Sequence, residues 1–361
     1  MLNIDPLTLF HDDYATMSLG CTGCRELEAC GGLFVQAPIF SCRDFCRCSS
    51  IGDEHYVCPC NTKKFVDRLR EVKGLSLDNV PRVPLLGYPP LPAAVPLIYG
   101  NYQRVNYLRS PAVAIPLNRL FSRKTGGIRF ASKEELAEKF RFDPGAKLLI
   151  SGVGEDGPIE DYWKHRRKTA LVRQIAKLQP SLITGPNYSL FLDVPRWDNL
   201  HNIKRIALCW SELVAEGLPA SLHVNARTVE DWRAWMKFVS NREEVKSLSI
   251  EFATPSHVSR LQWHVDKLVA LAGSIERDLQ IIVRGGSMHL PAINRAFHQT
   301  TFLDSWSYIK TVRRRRLFWQ PGQKGAWRQS LTPRNAPLDD LLQYNCATFG
   351  EFTAHKLSLL W

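Results

Sequence analysis

Between residues 147 and 304 the chain repeats one pattern, a short continuous apolar run followed by a stretch with helical spacing. The runs are 147–151, 181–184, 205–209, 220–224, 246–252, 279–283 and 300–304, and helical patterns lie between them at 161–178, 195–202, 210–217, 227–240, 257–274 and 288–298. Runs that are apolar along their whole length are what strands covered on both faces look like. With a further run at 94–99, the pattern predicts an α/β fold of (β/α) repeats closed like a TIM barrel, with an open doubly wound sheet as the alternative. Neither GxGxxG nor GxxxxGK(S/T) follows any of these runs, so the usual dinucleotide and P-loop fingerprints are absent. Gly152-Val-Gly154-Glu-Asp-Gly157 lacks the P-loop lysine and reads as a turn.

Eight of the ten cysteines, Cys21, Cys24, Cys30, Cys42, Cys46, Cys48, Cys58 and Cys60, fall within forty residues, whereas Cys209 and Cys346 stand alone. The opening Met1-Leu-Asn-Ile-Asp-Pro has no basic segment leading into an apolar run, and no uncharged apolar stretch is long enough to cross a bilayer. The expectation is a soluble, cytoplasmic protein without membrane contact. In that compartment dense thiols serve as metal ligands rather than as disulfides, and eight thiolates suit an iron-sulfur cluster or, as the alternative, zinc. Only Cys21-Thr-Gly-Cys24 has the CxxC form of a zinc knuckle.

Cys21-x2-Cys24-x5-Cys30-Gly31-Gly32 resembles the auxiliary-cluster motif of the SPASM extensions on radical-SAM enzymes, which implies an iron-sulfur cluster. Phe34 stands where that motif has its fourth cysteine, so a fourth ligand would come from Cys42 or beyond. Cys42-Arg-Asp-Phe-Cys46-Arg-Cys48 is one residue short of the C-x3-C-x2-C that holds the catalytic cluster of radical-SAM enzymes on the loop after a first barrel strand.

Composition and texture divide the chain into a cysteine-rich module (1–75), a proline-rich extended connector (76–130), the barrel-like domain (131–312) and a basic C-terminal tail (313–361). Ser132-Lys-Glu-Glu135 reads as a capping box opening a helix. Residues 185–225, from Gly-Pro-Asn-Tyr-Ser through Asp-Val-Pro to Leu-His-Val-Asn, are similar to an uncharacterised bacterial and phage domain family with a Pro-Asp-Phe-Ser...Asp-Met-Pro run. Asp193 and Pro195 match that run, Asn187 replaces its aspartate, and the resemblance implies an α/β fold without implying a reaction.

In a barrel, chemistry belongs at the carboxyl ends of the strands. Those ends offer Asp193, His223, Asn225 and Glu251 as catalytic candidates, and Asn187, Trp210, Arg284 and Asp304 as substrate-binding ones. A pair such as Asp193 and Glu251 could do acid-base work, His223 could carry a proton, and Arg284 could hold a phosphate or carboxylate. Taken singly, Asn225 and Asp304 could equally cap the helices that follow, and Asp193 could anchor a turn.

The formal charge of +12 favours an anionic partner. Two basic clusters, Arg166-Arg167-Lys168 and Arg313-Arg314-Arg315-Arg316, the second followed by Trp319, Trp327 and Arg328, suit single-stranded nucleic acid, although a solvated basic face would look the same. The resulting expectation is a metal- or iron-sulfur-containing barrel enzyme acting on nucleic acid or a nucleotide-like anion. The alternatives are a non-catalytic nucleic-acid-binding component of a larger assembly and a radical-SAM-like redox enzyme.

Overall fold

The computed structural model describes residues 68–359 except 192–195 and 253–257, together with residues 16–17, 19–23, 27 and 34–35. Eight strands form one wholly parallel sheet: β1 (Ala94–Pro96), β2 (Ala112–Pro116), β3 (Lys147–Ser151), β4 (Leu182–Thr184), β5 (Ala220–His223), β6 (Ser247–Glu251), β7 (Gln280–Arg284) and β8 (Gln299–Asp304). From β2 to β8 each strand pairs with the next in the chain, and β8 pairs with β1. A parallel bridge between Leu97 and Ala114, with the Ile98 amide donating to the Ala114 carbonyl at 2.9 Å, brings β1 and β2 together and rounds the sheet into a nearly closed barrel.

Helices cover the outside. They are α1 (Lys133–Phe140), α2 (Asp156–His165), α3 (Leu171–Ala176), α4 (Arg196–Ala215), α5 (Val229–Ser240), α6 (Val258–Gly273), α7 (Leu290–Ala296), α8 (Trp306–Val312) and α9 (Asp339–Ser358). After α8 the chain makes a hairpin of β9 (Arg315–Phe318) and β10 (Ala326–Gln329). No helix among the described residues is long and apolar enough to cross a membrane.

Alternation along the strands separates two cores. Val113, Ile115, Leu148, Ile150, Leu222, Leu248, Ile281, Val283 and Phe302 face the helices in the larger one. Their neighbours Val95, Ala112, Ala114, Leu149, Leu182, Ile282 and Leu303 form a second cluster with Leu91 and Leu97, which is the barrel lumen. Proline-rich residues 88–92 seal the lumen at its amino-terminal end. The Tyr88 hydroxyl donates to the Ala220 carbonyl at 3.0 Å, and the carbonyls of Pro89, Pro90 and Leu91 accept from Gln280, Lys147 and Gln299 at 3.2, 2.7 and 2.8 Å. A proline segment has few amide donors but keeps its carbonyls, so side chains at the starts of the strands can bind it without competing with the ladder.

The expected strands at 147–151, 181–184, 220–224, 246–252, 279–283 and 300–304 are present, and 94–99 contributes β1. The run at 205–209 is helical: it lies inside α4, a 20-residue helix buried around most of its girth. The missing eighth strand is β2, in the segment read as a connector. Residues 76–130 therefore supply two strands and the lumen seal, and the tail supplies α9, which packs on β1, β8, α7 and α8. Ser132 does cap α1, its hydroxyl accepting from the Glu135 amide, while Glu135 reaches back to the Ala131 amide.

Candidate site at the carboxyl-terminal mouth of the barrel

Ser151, Thr184, His223, Glu251 and Arg284 are the last residues of β3 to β7. Each falls in step with the lumen-facing residues of its strand, so all five turn inward at one end. Glu251 and Arg284 are direct register partners on adjacent strands, with Nε to Oε1 at 3.5 Å and both side chains largely buried. Arg284 also donates to the Tyr99 hydroxyl at 3.1 Å and to the Val153 carbonyl at 3.4 Å. Two glycines allow this convergence. A Cβ on Gly152 would lie 2.3 Å from the Thr184 carbonyl, and one on Gly286, which has φ +64°, would press on the Phe252 ring at 2.9 Å.

Burial decides the protonation of these groups. It raises the Glu251 carboxyl above its ordinary range, against the pull of Arg284. His223 is pushed down to about 3 by burial and then by Arg284, so its imidazole is neutral. Its Nδ1 lies 3.3 Å from the Ser249 hydroxyl. Ser151 Oγ is buried without a hydrogen-bond partner among the described residues, as are Arg284 Nε at the same end and Gln280 Oε1 at the other.

Next to this layer, between the ends of β4, β5 and β6, lies a cavity of about 160 Å³ lined by His223, Glu251, Asn225, Phe252, Arg260 and His264 among others. Arg260 and His264 stand one turn apart on α6. Burial lowers both, His264 to about 3 with Arg260 as the further cause. The Asn225 amide donates to Asn187 Oδ1 at 2.8 Å and to the Tyr188 carbonyl at 3.1 Å, fixing the rim.

Of the residues singled out from the sequence, His223, Asn225, Glu251, Asn187 and Arg284 gather at this mouth. Asp193 lies outside the described residues. Trp210 does not join them: it sits fully buried in α4, and its indole donates to the Ala220 carbonyl at the opposite, amino-terminal end. Asp304 ends β8 but turns outward, accepting from the Trp306 and Ser307 amides at 2.8 and 3.0 Å as the cap of α8. Tyr99, Ser151, Arg260 and His264 were not singled out. Tyr99 ends the run that became β1, and the four-residue spacing of Arg260 and His264 places them on one helical face.

The two basic clusters part company. Arg166 is buried, stacked 3.2 Å from the Trp163 ring centroid, and pairs with Glu212 at 2.9 Å. Arg167 pairs with the same carboxylate at 2.7 Å, and exposed Lys168 has no carboxylate partner among the described residues. Arg313, Arg315 and Arg316 are exposed, whereas Arg314 is held by Gln103 at 2.6 Å and by the Arg334 carbonyl. Of the eight clustered cysteines, Cys21 is described, as a buried residue in a short turn, and the other seven lie outside the described residues. Cys209 is a core thiol of α4 and Cys346 a half-buried one of α9 packed against the core, and burial pushes the Cys209 thiol up to about 12.

The fold and site define a parallel α/β barrel with a polar, charged mouth at the carboxyl ends of its strands. No protein-family model matches the chain, and no curated protein matches it.

Proposed function

We propose that the chain is an enzyme whose chemistry takes place at the carboxyl-terminal mouth, with Glu251 exchanging a proton with a small anionic substrate that Arg284 holds. The observation that carries this reading is the Glu251–Arg284 pair: buried, in register, and set so that the carboxyl is poised above its ordinary range beside a fixed cation. The cavity beside the pair is lined by Glu251 itself, by neutral His223 as a hydrogen-bonding group and by Arg260 as a cation, with Arg284 behind Glu251. A space of about 160 Å³ is smaller than the roughly 300 Å³ of a drug-sized pocket, so it takes a small phosphate or carboxylate, or the anionic tip of a nucleotide or nucleic acid.

An iron-sulfur cluster held by Cys21, Cys24, Cys30, Cys42, Cys46, Cys48, Cys58 and Cys60, with zinc as the alternative, belongs to the same proposal. Its support is their density in the sequence, and it carries with it a reducing, cytoplasmic setting. A radical-SAM-like reaction is less favoured. In those enzymes the cluster loop follows the first barrel strand, whereas these cysteines all precede β1.

The test is a thermal-shift panel of small phosphates and carboxylates on wild type, Arg284→Met and Glu251→Gln. A ligand near a hundredfold its Kd stabilises by about 2.7 kcal/mol, which a melting curve reads easily. The expected result is a shift that Arg284→Met abolishes and Glu251→Gln retains, with turnover of that ligand lost in Glu251→Gln. Shifts that survive Arg284→Met, or a panel without any shift, would refute the reading.

A further inference from the structure

The hairpin of β9 and β10 is built unlike the rest of the surface. From Trp306 to Leu338 the chain has eight lysine and arginine residues and no acidic one. In the ladder Arg316 lies directly opposite Arg328, and Phe318 opposite Ala326. Alternation turns Arg316, Phe318 and Arg328 to one face, away from buried Leu317. The Phe318 ring is 42% exposed between the two guanidinium groups, which stand 5.8 Å and 5.3 Å from its centroid. The Tyr344 ring of α9 lies 3.8 Å from the Arg316 guanidinium and fixes its plane.

Like charges directly opposed across a ladder are unfavourable. Where they serve only solubility, a nearby carboxylate commonly relieves them. Among the described residues no carboxylate pairs with Arg316 or Arg328, whereas the exposed Arg167 and Arg173 do have such partners. The face thus combines two unrelieved cations, one held in place by stacking, with an open aromatic ring between them. A free phosphate would answer the charges and leave the ring unused.

We infer that this hairpin face binds single-stranded nucleic acid, with phosphates on Arg316 and Arg328 and a base stacked on Phe318. The site is separate from the barrel mouth and does not depend on the chemistry proposed there. Loss of one reading leaves the other standing.

The experiment is fluorescence anisotropy of the full chain with a labelled oligouridylate, at about 50 and about 200 mM salt. The variants are Arg316→Ala/Arg328→Ala, Arg328→Ala alone, which spares the Tyr344 stack, and Phe318→Ala, each checked by circular dichroism. Binding should weaken as salt rises, and the double variant should lose about tenfold or more in affinity with a shallower salt dependence. Phe318→Ala should weaken binding about five- to a hundredfold. A duplex should bind less well, and the mouth's response to small anions should be unchanged in all three variants. No binding at the lower salt, equal binding by the double variant, or heparin and duplex competing as well as single strands while Phe318→Ala changes nothing would each overturn the inference. The last result would mean attraction to any polyanion.

Discussion

His223 and Asp304 both end barrel strands, one facing the lumen and one the helices, and burial favours the neutral form of each, lowering the base and raising the acid. His223, with its folded pKa near 3 against an ordinary 6.5, contributes stability that is present above about pH 6.5 and is lost as pH falls toward 3. His201, lowered to about 4, and His264, lowered to about 3, act in the same sense. Asp304, raised to about 6 by burial despite its capping hydrogen bonds, acts oppositely: its contribution fades as pH rises from about 3.8 to 6. Urea unfolding should therefore show wild type losing stability between pH 6.5 and 5. His223→Gln should lose about 2 kcal/mol less over that interval, and an unchanged slope would contradict burial of the neutral imidazole. His223, Glu251 and Arg284 were legible because each lies within one residue of the end of an apolar run. Asp304 closed its run too, but the two-residue period puts Leu303 inside and Asp304 outside, and without the lumen in view the phase of that period is not fixed.

At the scale of elements, α9 is the piece the sequence hides best. Its first turn is tied to the chain after β1: Asp339 accepts the Val105 and Asn106 amides at 3.0 and 3.1 Å and faces Arg104 at 3.7 Å, with both side chains buried. Asp339→Ala would strand the Arg104 charge and two amides, and should cost about 3 kcal/mol in denaturant unfolding. A loss under about 1 kcal/mol would show that α9 docks by other contacts. Six strands were readable as runs bounded by turns. Arg205-Ile-Ala-Leu-Cys209 misled because a short apolar run in a helix buried on nearly all sides looks the same as a buried strand. Ala112-Val-Ala-Ile-Pro116 was passed over because prolines at 111 and 116 read as breakers, yet each sits at an end of β2, where a missing amide costs the ladder little.

For the whole molecule, the N-terminal cysteines and the barrel are joined through the helical residues 68–72, where Glu71 accepts from the Trp163 indole at 2.7 Å and meets His201 at 3.3 Å. Burial raises the Glu71 carboxyl, but bonds from His201 and Trp163 and the charge of Arg68 outweigh it and hold the group at about 2. Anaerobically purified protein should contain iron and acid-labile sulfide and absorb broadly near about 400 nm. Stoichiometric zinc in a colourless protein would replace the cluster with a zinc site, and neither metal would remove the cofactor. The sealing of the lumen by residues 88–92 has a kinetic corollary. With the floor stoppered among the described residues, the chemistry proposed at Glu251 would have the carboxyl-terminal mouth as its doorway, and product would leave by the path on which substrate arrives. On that proposal accumulating product would obstruct the next arrival, and initial rates measured with added product should show inhibition competitive with substrate.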